Sequence, residues 1–290
     1  MGRTIDGKEE VTEVALTELF AFKNHPFKVL DDEAMEKTVE SVKAFGVMVP
    51  AIVRPRAEGG YEMISGHRRK HAAELAGMET MPVIVRNLND DEAVILMVDS
   101  NLQREQLLPS ERAHAYKMRL EALKHQGKRA DLTSSQIGTK LRSDEKMAEE
   151  LGESRNQVQR YIRLTELIPP LLDMVDNRKL AFNPAVELSY LRKREQAMFI
   201  DAMEYGQATP SLSQAQRLKR LSQDGKCTLE AMCAVMSEEK KSDLDRVTIK
   251  EDVLKKYFPK SYTLRQMEDT IIKLLDQWQK KRERMKEESR

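Results

Sequence analysis

The segment YEMISGHRRKHAAELAG constrains this chain most, because it joins a strand-like stretch to a helix through one glycine. Tyr61–Ser65 reads as a strand, and the helix after Gly66 carries two arginines in its first turn. A helix start offers unpaired N–H groups and a partial positive charge to an anion. Arg68 and Arg69 add forked, permanently charged donors that match phosphate oxygens. The segment therefore predicts a polyphosphate site, and a solvated helix start is the alternative.

The pattern around this segment predicts a small α+β unit. EVALTELF, AIVRP, YEMIS and MPVIVRN read as strands, and DEAMEKTVESVKAFG reads as an amphipathic helix that ends at Gly46. Beyond Asn89 almost every segment has helical periodicity. A content of 33% charged and 5% aromatic residues suits helices with solvated faces. The predicted fold class is mainly α with a small α+β N-terminal domain.

Residues 144–164, DEKMAEELGESRNQVQRYIRL, have the pattern of a helix-turn-helix. Ala148 and Gly152 supply the small residue and the turn glycine, and Val158 and Tyr161 supply packing residues. The second helix displays side chains of the kind that read base edges and bind phosphates in a major groove. The predicted DNA-binding residues are Ser154, Arg155, Asn156, Gln157, Gln159, Arg160 and Arg163. An ordinary helical hairpin with a polar face is the alternative.

Two polar stretches are predicted as linkers, Gly127–Arg142 and Glu238–Asp245. A strand-like RVTI and a long helix over about Thr263–Glu288 follow the second one. Apolar residues recur in that helix at helical spacing, which predicts a dimerisation segment, with packing on its own chain as the alternative. The mixed charges at its end are typical of a solvated face.

The composition limits the ligands and the cellular compartment that the sequence predicts. The formal net charge of +1 averages over local patches, so DNA binding requires a basic face rather than a basic chain. Cys227 and Cys233 lack nearby histidines, so we interpret them as small hydrophobes in a reducing compartment. Residues 1–10 are polar, and no apolar run is long enough to span a bilayer. These features predict a cytoplasmic protein.

Taken together, GVMVPAIVRP, ISGHRRKHAAELAGMETMPVIV, DSNLQREQLLPSERAHAY and ESRNQVQRYIRLTELIPPLLDMVDNRKLAFNPAVELSYL resemble the ParB family of partition proteins, over roughly Val11 to Leu191. The resemblance implies a ParB/sulfiredoxin-like nucleotide-binding domain at 1–108, a helical DNA-binding domain at 109–240 with its helix-turn-helix at 144–165, and a dimerisation segment at 241–290. It also implies a nucleoid-associated homodimer that binds CTP with Mg²⁺, loads at a palindromic centromere-like site, closes into a clamp and stimulates a Walker-type, ParA-like ATPase.

By position, SGHRR matches the family's phosphate-binding G-E-R-R segment, and SNLQR matches its E-N-x-Q-R segment. The loop GVMVP matches the one that shapes the cytidine pocket. The residues that the resemblance assigns to nucleotide binding are Gly46, Pro50, Gly66, His67, Arg68, Arg69, Asn101, Gln103 and Arg104. Asn101 is also the implied ligand of Mg²⁺.

The chain departs from the family pattern in three places. His67 and Ser100 stand where the family has glutamates, and Asn24–Val29 keeps only traces of the family's N-P-x-Q-P-R. A site without these groups has fewer ligands for Mg²⁺ and for an attacking water, so we expect nucleotide binding with at most weak CTP hydrolysis. Asp99 is a possible substitute carboxylate. His67 either pairs with phosphate when protonated or is a polar residue of the first turn.

Three functions compete for this sequence. The first is a CTP-gated DNA clamp for segregation of a chromosome, plasmid or mobile element. The second is a repressor or nucleoid-associated regulator without nucleotide gating. The third is a sulfiredoxin- or kinase-like enzyme, which is disfavoured because SGHR has no thiol and a helix-turn-helix follows. Residues 1–10 are a candidate segment for contact with the partner ATPase.

Overall fold

The structure is a computed structural model that describes residues 10–104, 107–131, 143–238, 254, 257–259 and 262–287. The chain divides into two compact units, Met1–Glu238 and Glu239–Arg290. The predicted boundary between residues 108 and 109 stays a prediction, and that between 240 and 241 lies outside the described residues. Within the described residues, no helix is both long enough and apolar enough to cross a membrane.

The N-terminal part of the first unit is built on a mixed five-stranded sheet in the order β1-β5-β3-β4-β2. β1 pairs with β5 and β3 with β4 in antiparallel fashion, whereas β5 pairs with β3 and β4 with β2 in parallel. The strands are β1 (Val11–Ala15), β2 (Leu19–Phe20), β3 (Ala51–Pro55), β4 (Tyr61–Ser65) and β5 (Thr80–Val85). The helices around it are α1 (Glu33–Phe45), α2 (His67–Leu75) and α3 (Asp90–Leu102).

The elements here follow local signals, with one exception. Asp32 caps α1, since its Oδ1 accepts from the Met35 N–H at 2.8 Å, and Asn89 forms a capping box with Glu92 on α3. The single strand predicted for EVALTELF is wrong, because a short 3₁₀ turn at Leu16–Glu18 divides it. That turn buries Leu16 in the core and lets the two halves pair with different strands.

The rest of the first unit is helical, as predicted. Its helices are α4 (Pro109–Asp131), α5 (Ser143–Leu151), α6 (Arg155–Leu164), α7 (Pro169–Asp176), α8 (Phe182–Leu188), α9 (Lys193–Gly206), α10 (Leu212–Gln223) and α11 (Leu229–Met236). Their shared core includes the fully buried Leu164, Leu171, Leu188, Phe199 and Leu218. The predicted linker begins too early, because α4 continues past residue 127 to 131; residues 132–142 lie outside the described ones.

The second unit contains α12 (Leu264–Glu287), which confirms the predicted long helix. Ile272, Leu274, Leu275 and Trp278 are between 51% and 58% exposed on it. An amphipathic helix with this much apolar surface is typical of a segment that packs on a partner. The predicted linker after residue 238 and the RVTI segment lie outside the described residues.

Candidate phosphate site and nucleic-acid interface

The start of α2 has the geometry of an anion site. Gly66 caps the helix at φ 102°, a left-handed conformation that favours glycine. A Cβ at this position would come within 2.8 Å of the Cβ of Ala51, so the turn also requires the absence of a side chain. The first N–H groups of α2 therefore lie directly beside β3, and no side chain of residue 66 keeps an anion from approaching them.

Arg69 ties this helix start to the loop before β3. Its guanidinium donates to the carbonyl of Val49 and, at 2.8 Å, to that of Pro50. The loop begins at Gly46, which ends α1 at φ 70°. Arg69 therefore links the predicted Gly66 turn to the predicted Pro50, and Gly46 begins the loop that leads to Pro50.

Two further arginines, Arg68 and Arg104, lie near this helix start. Arg68 pairs with Asp32 at 3.3 Å, and Arg104 lies over the ring of Phe27, 5.6 Å from its centroid. Burial lowers the pKa of Arg104, and the nearby charge of Arg68 lowers it further, against a smaller opposing effect of Glu111. Burial also lowers the pKa of Arg69. Depressed arginine pKa values mean that the cations are poorly stabilised as they stand, and a bound anion would relieve this.

His67 stacks on His25, a residue that the sequence analysis did not identify. The ring centroids are 3.8 Å apart, and His67 Nε2 accepts from the N–H of Phe22 at 3.5 Å. Burial, with the charges of His25, Arg104 and Lys70, lowers the pKa of His67 to about 3. The imidazole is therefore neutral at pH 7, which favours the polar interpretation of His67 over a protonated phosphate ligand.

The end of α3 holds the remaining predicted residues. The Asn101 amide nitrogen donates to the carbonyl of Met97 at 2.8 Å, so its oxygen is the atom that can meet a ligand. Gln103 is exposed directly after the helix. Asp99 pairs with Arg119 of α4 at 3.0 Å. Its role as a substitute for a carboxylate at Ser100 stays a prediction.

Two residues at the site were missed by sequence reasoning, His25 and Asp32. His25 donates through Nδ1 to the carbonyl of Phe27 at 2.8 Å, and its Nε2 is buried without a partner among the described residues. It belongs to Asn24–Val29, which the resemblance had already placed near the site. Asp32 carried only a helix-cap signal, and its contact with Arg68 spans 36 residues of sequence.

The neutral state of His67 predicts a pH-dependent stability. Its pKa rises from about 3 in the folded chain to about 6.5 when unfolded, so the unfolded state takes up the proton as the pH falls below 6.5. Between pH 7 and pH 5 this should lower the free energy of unfolding by about 2 kcal/mol. Urea unfolding at pH 5, 6 and 7 should show a smaller loss in His67→Gln. Equal losses in both proteins would contradict this assignment.

The helix-turn-helix prediction is confirmed in its geometry. α5 and α6 are joined through Gly152, at φ 66°, and Ala148 and Val158 are buried between the helices with Met147. The Ser154 hydroxyl accepts from the N–H of Gln157 at 3.2 Å, as expected of a helix cap. The second helix is thereby held at a fixed angle on the first.

The predicted DNA-binding side chains fall into two groups. Ser154, Arg155, Asn156 and Gln159 are exposed, and Asp144 of α5 accepts from Arg155 at 2.6 Å and from Gln159 at 3.3 Å. Gln157, Arg160 and Arg163 are only partly exposed.

The two arginines of the second group brace α6 on α8. Arg160 donates to Asn183 and lies over Phe182, 5.2 Å from the ring centroid. Arg163 donates to the Ser189 hydroxyl at 3.1 Å and to the Ser189 carbonyl at 2.9 Å. These contacts give both residues a structural task within the helical part of the chain.

Comparison with known proteins agrees with both halves of this description. The model of the ParB N-terminal domain matches residues 3–102, and the model of the ParB HTH domain matches residues 130–209. Together the matched segments cover more than half of the chain. The fold and the two sites are those of a helix-turn-helix protein with a basic helix-start site in its N-terminal part. The chain belongs to the ParB family.

Several curated relatives are similar to it. A probable chromosome-partitioning protein ParB of Neisseria meningitidis is 31% identical over 188 residues, which are 65% of this chain and 60% of the relative. Stage 0 sporulation protein J of Bacillus subtilis is 37% identical over 160 residues, 55% of this chain and 50% of the relative. A nucleoid occlusion protein of Halalkalibacterium halodurans is 31% identical, over 64% of this chain and 59% of that protein. The chain thus matches half to three fifths of each relative's length.

Solved structures of a ParB from Caulobacter crescentus are also similar. The C-terminally truncated protein complexed to the centromeric parS site is 24% identical, with a TM-score of 0.43, covering 72% of this chain and 98% of that one. The same protein complexed with CTP-gamma-S is 26% identical, with a TM-score of 0.31, covering 65% and 96%.

Proposed function

We propose that this chain is a partition protein that binds a centromere-like DNA site as a CTP-gated dimeric clamp and serves segregation of a chromosome, plasmid or mobile element. The observation that carries the nucleotide part is the arginine cluster at the start of α2. Arg69 and Arg104 are cations with lowered pKa values beside a helix N-terminus. A triphosphate supplies the negative charge that such a cluster lacks.

The loop from Gly46 to Pro50, which Arg69 contacts, supports the proposal that a nucleotide base lies beside these phosphates. Pro50 and Val49 present their carbonyls to Arg69, and the chain from Gly46 to Pro50 forms one wall next to the helix start. In the ParB family, the loop that this segment resembles shapes the cytidine pocket. We therefore assign CTP as the nucleotide and the residues from Gly66 to Arg69, with Arg104, as its phosphate-binding groups.

The DNA part rests on α6. Its exposed Arg155, Asn156 and Gln159 lie on the face of the second helix of a helix-turn-helix, the element that enters a major groove in this motif. The curated relatives that are similar to this chain include a probable chromosome-partitioning protein. We assign double-stranded DNA as the partner of this helix.

We further propose a homodimer formed through the apolar residues of α12, and a Walker-type, ParA-like ATPase as the partner of the segregation process. The nucleoid in the cytoplasm is the corresponding location. Light scattering before and after truncation at Asp245 tests the dimer, because an unchanged dimer mass would exclude this segment as its interface.

Calorimetric titration with CTP, ATP, GTP and UTP in the presence of Mg²⁺ tests the nucleotide assignment. We expect selective binding of CTP, and a loss of about 10- to 100-fold in affinity in Arg69→Ala, since hydrogen bonds to charged groups contribute roughly 1.5–3 kcal/mol. Arg56→Ala is the matched control, because Arg56 pairs with Glu58 and lies over Phe20, away from the start of α2.

The outcomes separate the competing functions. Selective CTP binding that Arg56→Ala keeps and Arg69→Ala loses supports a gated clamp. A folded protein that binds DNA but none of the four nucleotides would instead be a repressor or nucleoid-associated regulator without gating. Circular dichroism of each variant verifies that the fold is retained.

A further inference from the structure

The carboxylates near the phosphate site are engaged elsewhere. A Mg²⁺ ion bound with a nucleotide takes one or two protein carboxylates besides the phosphates and waters. Asp32 accepts from the Met35 N–H at 2.8 Å and pairs with Arg68. Glu111 accepts from the N–H of Lys28 at 2.7 Å and from that of Leu108 at 3.0 Å. Both are thus held by backbone or arginine donors.

The positions where the family has glutamates offer no carboxylate in this chain. His67 is a neutral imidazole whose Nε2 accepts from Phe22, and the Ser100 hydroxyl donates to the carbonyl of Met97 at 2.9 Å. Asp99 faces Arg119 of α4. Asn101 remains as one neutral oxygen ligand. Among the described residues, no group of three or more histidine, cysteine or acidic side chains could hold a metal ion.

The site instead supplies its own positive charge. Arg68 and Arg69 lie in the first turn of α2, and the charge of Arg68 lowers the pKa of Arg104, so Arg68 and Arg104 repel each other. A divalent cation placed among them would add to this repulsion. The donor set of this chain therefore does not fit the Mg²⁺ that the family resemblance implies.

We infer that this site binds its nucleotide through arginines and helix N–H groups without requiring Mg²⁺; the inference rests on the proposed nucleotide-binding function. The three arginines and the N–H groups at the start of α2 take the place of the metal in neutralising the phosphates. The residues that set this specificity are the neutral His67 and Ser100.

Calorimetric titration with CTP in Mg²⁺ and in EDTA tests the inference. We expect the two affinities to agree within about threefold, because no protein carboxylate depends on the metal. An affinity that falls by more than about tenfold in EDTA would overturn the inference while leaving nucleotide binding in place. Absence of binding in both conditions would overturn the proposed nucleotide function, and the inference with it.

Ser100→Glu provides a gain-of-function variant. Ser100 is exposed, so a glutamate is tolerated there, and its charge would repel the phosphates unless a metal bridges them. We expect the affinity of this variant to be at least about tenfold lower in EDTA than in Mg²⁺. His67→Glu should act in the same direction. Gln216→Glu, which adds the same charge at an exposed position of α10, is the control and should show no metal dependence.

Equal affinities of Ser100→Glu in Mg²⁺ and EDTA would also overturn the inference. They would mean that a carboxylate at this end of α3 does not meet the phosphates, so that the absence of one in the native chain could not decide the metal requirement. Because Ser100 is a surface position, this outcome is separable from misfolding by circular dichroism.

Discussion

Replacing Gly66 by alanine is expected to lower the free energy of unfolding by about 3 kcal/mol. Two causes act together. At φ 102° a residue with a side chain is strained, and the new Cβ would lie 2.8 Å from the Cβ of the fully buried Ala51. Neither β3 nor α2 can retreat without disturbing the sheet core. Urea unfolding followed by circular dichroism measures the loss.

Gly59 is the matched control for this experiment. It has φ 91°, yet a Cβ there would meet nothing within 4 Å. Gly59→Ala should therefore show the backbone strain alone, about 1 kcal/mol. The difference between the two variants isolates the contact with Ala51, and adding Ala51→Gly to Gly66→Ala should recover part of it. Equal losses at the two glycines would show that the close approach to β3 contributes nothing.

Gly66→Ala should also weaken nucleotide binding. A displaced start of α2 moves the N–H groups and Arg69 away from the loop at Pro50, which Arg69 now reaches at 2.8 Å. A displacement of this kind weakens a preorganised anion site even where the chain still folds. The stability and binding effects thus share one geometric cause, the absence of a side chain at Gly66.

Helices and strands with local signals were predictable from the sequence. Asp32 and Ser154 begin their helices by capping N–H groups three residues ahead, so their signals lie within one turn. Gly46 and Gly152 end helices at positive φ. The 3₁₀ turn at Leu16–Glu18 was not predictable in this way. Both halves of EVALTELF have strand character, and only the burial of Leu16 and the two strand partners decide between them.

The contacts that define the candidate phosphate site were likewise not predictable from local sequence signals. His25 meets His67 across 42 residues, and Arg68 meets Asp32 across 36. No periodicity relates such positions, since the topology of the sheet brings them together. Arginines of a helix start point to an anion, but the partner that each arginine holds in the free chain follows only from the fold.

The roles of the arginines on α6 could not be told apart from the sequence for the same reason. Arg155, Arg160 and Arg163 read alike in the sequence, as side chains of a DNA-binding helix. In the structure Arg160 and Arg163 bond to α8, whereas Arg155 bonds to Asp144 on the preceding helix and is exposed. A helix face can be predicted from spacing, but the element that covers part of it cannot.

This division predicts two different phenotypes within one helix. Arg155→Ala and Asn156→Ala should each weaken binding to the preferred DNA sequence by about 10- to 100-fold, because a good base contact contributes roughly 1–3 kcal/mol of discrimination. Binding to random DNA should change by about threefold or less, since it rests mainly on phosphate contacts. The preferred sequence is first selected from a random pool, and both affinities are measured at one salt concentration.

Arg163→Ala should behave otherwise, because Arg163 fixes α6 on α8 through Ser189 and the ring of Tyr190, 4.1 Å away. Its loss removes hydrogen bonds from a charged group, worth about 1.5–3 kcal/mol, so the melting temperature should fall. Specific and random binding should then decline together, as the whole helix loses its fixed position. If Arg163→Ala left the melting temperature unchanged and impaired only the preferred sequence, Arg163 would be a base-reading residue and α8 would not be its partner in function.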